Sequence, residues 1–96
     1  MATRPNIVVP TGIWYDLNAA LNEQAAYPAV ILGQELNIKL ESPTQIRLCE
    51  KSTQPTAIDG FRRVTDINTP YVVTNDVGTW AYSVGEKSYL NIEVSE

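Results

Sequence analysis

The sequence predicts a small all-β domain, an antiparallel β-sandwich or barrel with one short helical crossover near residues 16–22. Three observations predict it. Short runs rich in β-branched and aromatic residues alternate apolar with polar side chains, the period-two pattern of strands with one buried face. Turn signals separate these runs at roughly 8–12-residue spacing, as in small sandwiches and barrels. The one helical signal is brief, and a chain of 96 residues has the length of a single domain.

Residues 1–6 are polar and contain a proline, and they are expected to form a flexible N-terminal arm ahead of a single β domain spanning 7–96. Ile7-Val8-Val9 is a β-branched run stopped by Pro10, with Thr11-Gly12 as a turn. Ile13-Trp14-Tyr15 leads to Asp16, a good N-cap, and Leu17 and Leu21 then share one helical face at i, i+4. Pro28 to Gly33 is an apolar run closed by glycine. The clearest strand follows, with Leu36, Ile38 and Leu40 alternating against polar neighbours.

After the Ser42-Pro43-Thr44 turn, Gln45 to Glu50 alternates again. A hairpin that pairs Leu40 with Ile46 and Ile38 with Leu48 gathers every apolar residue on one face, and a one-residue slip would expose one set. That register places Lys39 opposite Arg47, with Glu41 diagonal to them. A solvated, screened pair is the plainer reading, and a docking spot for an acidic neighbour is the functional one.

Further strands are expected at Phe61–Thr65, Pro70–Thr74, Thr79–Ser83 and Ser88–Val94. The last two admit two hairpins. A two-residue Gly85-Glu86 turn puts Trp80 and Tyr82 on the face opposite Leu90, whereas a three-residue loop puts them beside Leu90 and Ile92 in the core. The core arrangement is expected, because a small domain needs buried aromatic area. The alternative is an exposed Trp80/Tyr82/Tyr89 platform.

No catalytic machinery is legible. The chain has no histidine and one cysteine, which removes Ser-His and Cys-His nucleophile pairs, zinc sites and internal disulfides. Cys49, in an alternating run, reads as a small strand residue. The five glycines are dispersed at turns, so there is no phosphate-cradling loop. Asp59 with Asp66, and Asp76 with Glu86, are the carboxylate pairs nearest to an acid–base arrangement, and both stand in turn-rich polar segments. Asn75-Asp76 lacks the oxygen density of a calcium loop. No catalytic residue, cofactor or metal is therefore expected.

The formal charge is −4, and the one adjacent basic pair, Arg62-Arg63, has Asp59 and Asp66 close by, so nucleic acid is not an expected partner. No run approaches the ~20 apolar residues of a membrane span. The opening Met-Ala-Thr-Arg-Pro-Asn lacks the apolar stretch of a signal peptide, so synthesis and retention in the cytoplasm are expected unless the protein leaves within an assembly.

Taken together, Ile7-Val8-Val9-Pro10, Trp14-Tyr15-Asp16-Leu17, Ala19-Ala20-Leu21, Gly33 before Leu36-Asn37-Ile38, Ile46-Arg47-Leu48, Gln54-Pro55-Thr56, Asp59-Gly60, Trp80-Ala81-Tyr82-Ser83 and Leu90-Asn91-Ile92-Glu93-Val94 form a pattern over nearly the whole chain. It resembles the small β-sandwich accessory proteins of tailed-phage virions. The resemblance implies a non-enzymatic structural protein, usually a symmetric oligomer, that decorates a capsid or sits at a tail or neck. The expected partners are major capsid or tail proteins, and the expected location is the virion after synthesis in the host cytoplasm. A capsid decoration (cement) protein binding across capsomers is the leading expectation. A tail or baseplate component contacting the host receptor, and a carbohydrate-binding module, are the alternatives. Interface candidates are Thr3, Arg4 and Pro5 on the arm, which can add contacts to a neighbouring subunit, and Lys39 and Arg47 on the strands.

Overall fold

Alternation this regular must bury one row of each strand, and the computed structural model, which describes residues 4–56 and 59–95, shows how. Eight strands and one helix follow in order: β1 (Ile7–Val9), β2 (Trp14–Asp16), α1 (Leu17–Asn22), β3 (Leu36–Leu40), β4 (Gln45–Glu50), β5 (Arg62–Val64), β6 (Tyr71–Val73), β7 (Thr79–Val84) and β8 (Ser88–Val94). They form two four-stranded antiparallel sheets, ordered β1-β8-β3-β6 and β2-β7-β4-β5. The expected all-β sandwich is what the chain adopts. First pairs with last, second with seventh, third with sixth and fourth with fifth, which is the nested double Greek key of a jelly roll.

The core lies between the sheets. Ile7, Val9, Leu36, Ile38, Leu40, Val73, Leu90, Ile92 and Val94 point inward from one, and Ile46, Leu48, Val64 and Ala81 from the other. Asp16 caps α1 as its position predicts, its carboxylate accepting from the amides of Asn18 at 3.0 Å and Ala19 at 3.2 Å. Leu17, Ala20 and Leu21 then bury one helical face.

Two register expectations are corrected. β3 and β4 do not form a hairpin. They belong to different sheets, so Leu40 pairs with Leu90 and Ile46 with Ser83 and Val64. Alternation dictates which residues are buried, and a chain that crosses between sheets buries the same row as one that turns back. Here hydroxyls favour the crossing. The Ser42 hydroxyl accepts from the Tyr89 amide at 3.0 Å and contacts that of Thr44 at 2.9 Å. Thr44 contacts Ser88 at 2.5 Å, and Ser88 contacts Ser83 at 2.6 Å. The Ser83 hydroxyl also lies against the Glu86 carbonyl. One chain of hydroxyls thus satisfies both the β3–β4 and β7–β8 crossovers at the same end of the sandwich.

The same network reverses the expected orientation of β7. Ser83 is pinned inward, so Thr79 and Ala81 face the core while Trp80, Tyr82 and Val84 face outward and remain half-buried. β7 and β8 are also in different sheets rather than in one hairpin. Bulky aliphatic residues from the opposing sheet fill the space that the small β7 row leaves, and the two rings are not needed there.

The expected flexible arm is anchored from Arg4 onward. Its buried guanidinium donates to the Leu21 carbonyl at 3.2 Å, the Pro28 carbonyl at 2.6 Å and the Gln24 side chain at 3.5 Å, and it lies 5.3 Å from the Tyr27 ring centroid. It thereby satisfies carbonyls where α1 ends and the crossover begins. Asn91 donates to the Arg4 carbonyl at 2.9 Å. Thr3 and the residues before it lie outside the described residues.

At the end of the sandwich opposite the hydroxyl chain, Asn75 forms a second polar knot. It is fully buried, with φ 59°, a left-handed conformation that asparagine tolerates better than most residues. Its side chain exchanges two hydrogen bonds with Asn18, at 2.8 and 2.9 Å, and accepts from the Thr79 hydroxyl at 2.8 Å. Its amide donates to Glu50 at 3.1 Å, and its carbonyl accepts from Gly33 at 2.9 Å.

Candidate functional site

The outward row of β7 defines the most elaborated surface. Register places Trp14 beside Tyr82, Tyr82 beside Arg47 and Arg47 beside Arg63, one residue from each strand of the β2-β7-β4-β5 sheet. A neighbouring row holds Asp16, Trp80 and Cys49. The Trp14 and Tyr82 rings are 5.4 Å apart and tilted by 52°. The Arg47 guanidinium lies 4.5 Å from the Phe61 centroid and 5.4 Å from that of Tyr82. Such cation–π contacts hold a guanidinium in place more than they hydrate it.

The β4–β5 connection returns over this face. The Trp80 indole donates to the Lys51 carbonyl at 2.9 Å, and Pro55, within the loop, is buried. Asp59 ties the loop together, accepting from the Lys51 ammonium at 2.8 Å and from the Thr56 amide at 2.7 Å. The Lys51 bond, followed by the Thr56 amide, lowers the Asp59 pKa. Beneath the loop Cys49 is buried, and desolvation, followed by the nearby Asp59 charge, raises its thiol pKa. Between Trp14, Tyr82, Arg47 and Phe61, with Thr56 and Asp59 on the rim, lies a cleft of about 270 Å³. A larger hollow, about 620 Å³, lies at the hydroxyl-linked end beside Pro43 and Gly85, but it is open and has no aromatic or cationic wall.

The five interface candidates are not brought together. Arg4 is buried, Pro5 is exposed, and Thr3 is outside the described residues. Lys39 does not oppose Arg47. It pairs with Asn91 on the outer face of the first sheet, 3.8 Å from Glu41, while Arg47 occupies the outer face of the second. The carboxylate pairs also separate. Asp59 is engaged by Lys51. Asp66 accepts from the Asn68 amide at 2.7 Å and the Thr69 hydroxyl at 2.9 Å, which lower its pKa in that order. Asp76 and Glu86 stand at opposite ends of β7. Among the described residues no three His, Cys, Asp or Glu side chains gather as metal ligands.

Phe61 and Arg63 escaped sequence reasoning as site residues, because they reach Arg47 only through the pairing of β4 with β5 and the connection between them. The small residues Thr79, Ala81 and Ser83, alternating with Trp80 and Tyr82, were the available signal that the rings face outward. In comparisons with protein-family models, curated proteins and solved structures, the chain matches none.

Proposed function

We propose that this chain is a non-enzymatic structural protein of a phage particle, a capsid decoration protein that binds across capsomers. The observation that carries the reading is a jelly roll whose most elaborated chemistry, the Trp14–Tyr82–Arg47–Arg63 row, lies on an outer face. Jelly rolls serve viral capsids as well as lectins, and fold alone does not choose between them. The choice rests on the full-length sequence pattern and on carboxylates and hydroxyls that are engaged in structural hydrogen bonds. Attachment to a lattice as a symmetric oligomer would add stability to a domain of this size.

The test is particle resistance. Particles assembled without the protein are expected to lose heat or osmotic resistance and to regain it on adding the purified chain, and unchanged resistance refutes the cement role. Labelled protein seen at the tail by electron microscopy would assign it to a tail or baseplate instead. The outward Trp14 and Tyr82 rings favour one further reading, a carbohydrate-binding module, which a calorimetric titration or glycan array without binding would remove.

A further inference from the structure

Arg47 and Arg63 share the outward row at the β4–β5 edge of the second sheet, while Arg62, one residue earlier, turns to the Tyr71 ring at 4.9 Å. Among the described residues none has a carboxylate within ion-pair distance, although acidic residues outnumber basic ones eleven to seven. The acidic side chains nearest in sequence are engaged elsewhere: Glu50 accepts from Thr74 and Asn75, Asp59 from Lys51 and Asp66 from Asn68. Arg47 and Arg63 are direct cross-strand partners, and like charges so placed repel. The Arg47 Nε is buried without a hydrogen-bond partner, its guanidinium set against Phe61 and Tyr82. The chain thus keeps a preorganised, partly dehydrated cationic pair beside two aromatic residues, Tyr82 on the adjacent strand and Trp14 two strand spacings, or about 10 Å, from Arg47.

We infer that this row is a docking site for an extended acidic segment of a partner protein, a carboxylate bridging Arg47 and Arg63 while an apolar side chain covers Trp14 and Tyr82. A carboxylate there relieves the repulsion between the arginines and meets planar donors with little water to displace. β5, which carries Arg63, is a three-residue strand at the sheet edge with no further strand beyond it among the described residues, so a chain lying across the row can leave the sheet there. The inference rests on the structural-protein reading, because it names the chemistry of the neighbour that the surface would grip.

The probe is a fluorescein-labelled peptide of Glu-Glu-Leu-Leu repeats, titrated into the purified chain and followed by anisotropy. Binding is expected, with a loss of at least about tenfold in Arg63→Gln, an exposed position that does not threaten folding, and a comparable loss in Arg47→Lys, which keeps the charge but not the fork. Lys39→Gln, on the opposite face, is expected to bind as the wild type does. No binding, equal binding by Arg63→Gln and wild type, or tighter binding of an oligothymidylate than of the peptide overturns the inference. Particles decorated equally well by Arg63→Gln and wild type also overturn it while leaving the virion reading intact. Peptide binding by a chain that is absent from particles overturns only the virion reading.

Discussion

Replacing Asn75 by alanine tests whether the polar knot at the β6–β7 connection holds the fold together. The substitution removes three side-chain hydrogen bonds and strands the Thr79 hydroxyl, which is fully buried, and the Asn18 amide, which is half-buried. A buried polar group left without a partner costs about 1–3 kcal/mol, and water reaching Asn18 places its share at the low end. Alanine at φ 59° adds roughly 1 kcal/mol of backbone strain. The expected loss is about 3–5 kcal/mol, a large part of the roughly 5–14 kcal/mol available to a domain of this size. Glycine removes the same bonds without the β-carbon, so Asn75→Gly is expected to be at most about 0.5 kcal/mol less damaging than Asn75→Ala once its extra unfolded-state entropy is allowed for. Urea denaturation followed by tryptophan fluorescence measures both, with the midpoint falling by about 2–3 M at an unchanged slope. An Asn75→Ala variant within about 1 kcal/mol of the wild type would refute the reasoning.

Gly78 has φ 116°, and a β-carbon there would sit 3.0 Å from the Lys51 carbonyl oxygen, so Gly78→Ala is expected to lose about 1–3 kcal/mol, read as a fall in Tm. Arg4→Met keeps the aliphatic stem but strips the Pro28 carbonyl of its donor and leaves the Leu21 carbonyl with the Gln24 amide alone, with an expected loss of about 1–2 kcal/mol and faster amide exchange in α1. Asp59 and Asp66 have folded pKa values below the ordinary aspartate value. Their stabilising contribution is therefore complete above that ordinary value and lost as pH falls through the depressed folded one. Carboxyl NMR should show Asp59 titrating low in the wild type and moving up in Lys51→Met. The Cys49 thiol, buried with a raised pKa, should react with a thiol reagent at mildly alkaline pH far more slowly than free cysteine, and at the free rate once urea unfolds the chain.

Element positions were legible because they depend on local pattern. Asp16 announced α1, and the alternations at Leu36–Leu40 and Ser88–Val94 announced their strands, each with its buried row assigned correctly. Partnership was not legible, because burial parity is indifferent to whether a neighbour lies in the same sheet or across the core. The Leu40–Ile46 hairpin satisfied every local rule and lost to serine and threonine hydroxyls whose partners are remote in sequence. Tyr82 and Trp80 were assigned inward on the general need for aromatic area, whereas Ser83 sets the parity of β7 through Ser88 and Glu86. The candidate site depended on both errors. Arg47 was singled out for a charge opposite Lys39, but its actual neighbours, Tyr82, Arg63 and Phe61, follow from pairings that no single window of sequence contains. Arg4 illustrates a different blind spot, since an arginine near a terminus reads as solvated until the carbonyls it serves are in view.

The nested pairing also bears on how the chain comes to be folded. The β4–β5 ladder can close early over a short connection, but each successive pair encloses all the preceding ones, and β1 meets β8 only when nearly the entire described chain has been traversed. Loop-closure entropy is thus paid before the outermost contacts return anything, and such topologies fold in milliseconds to seconds. During synthesis β1 must wait beside the ribosome with Ile7 and Val9 uncovered until β8 emerges, so the opening strand is the segment most in need of protection from premature pairing.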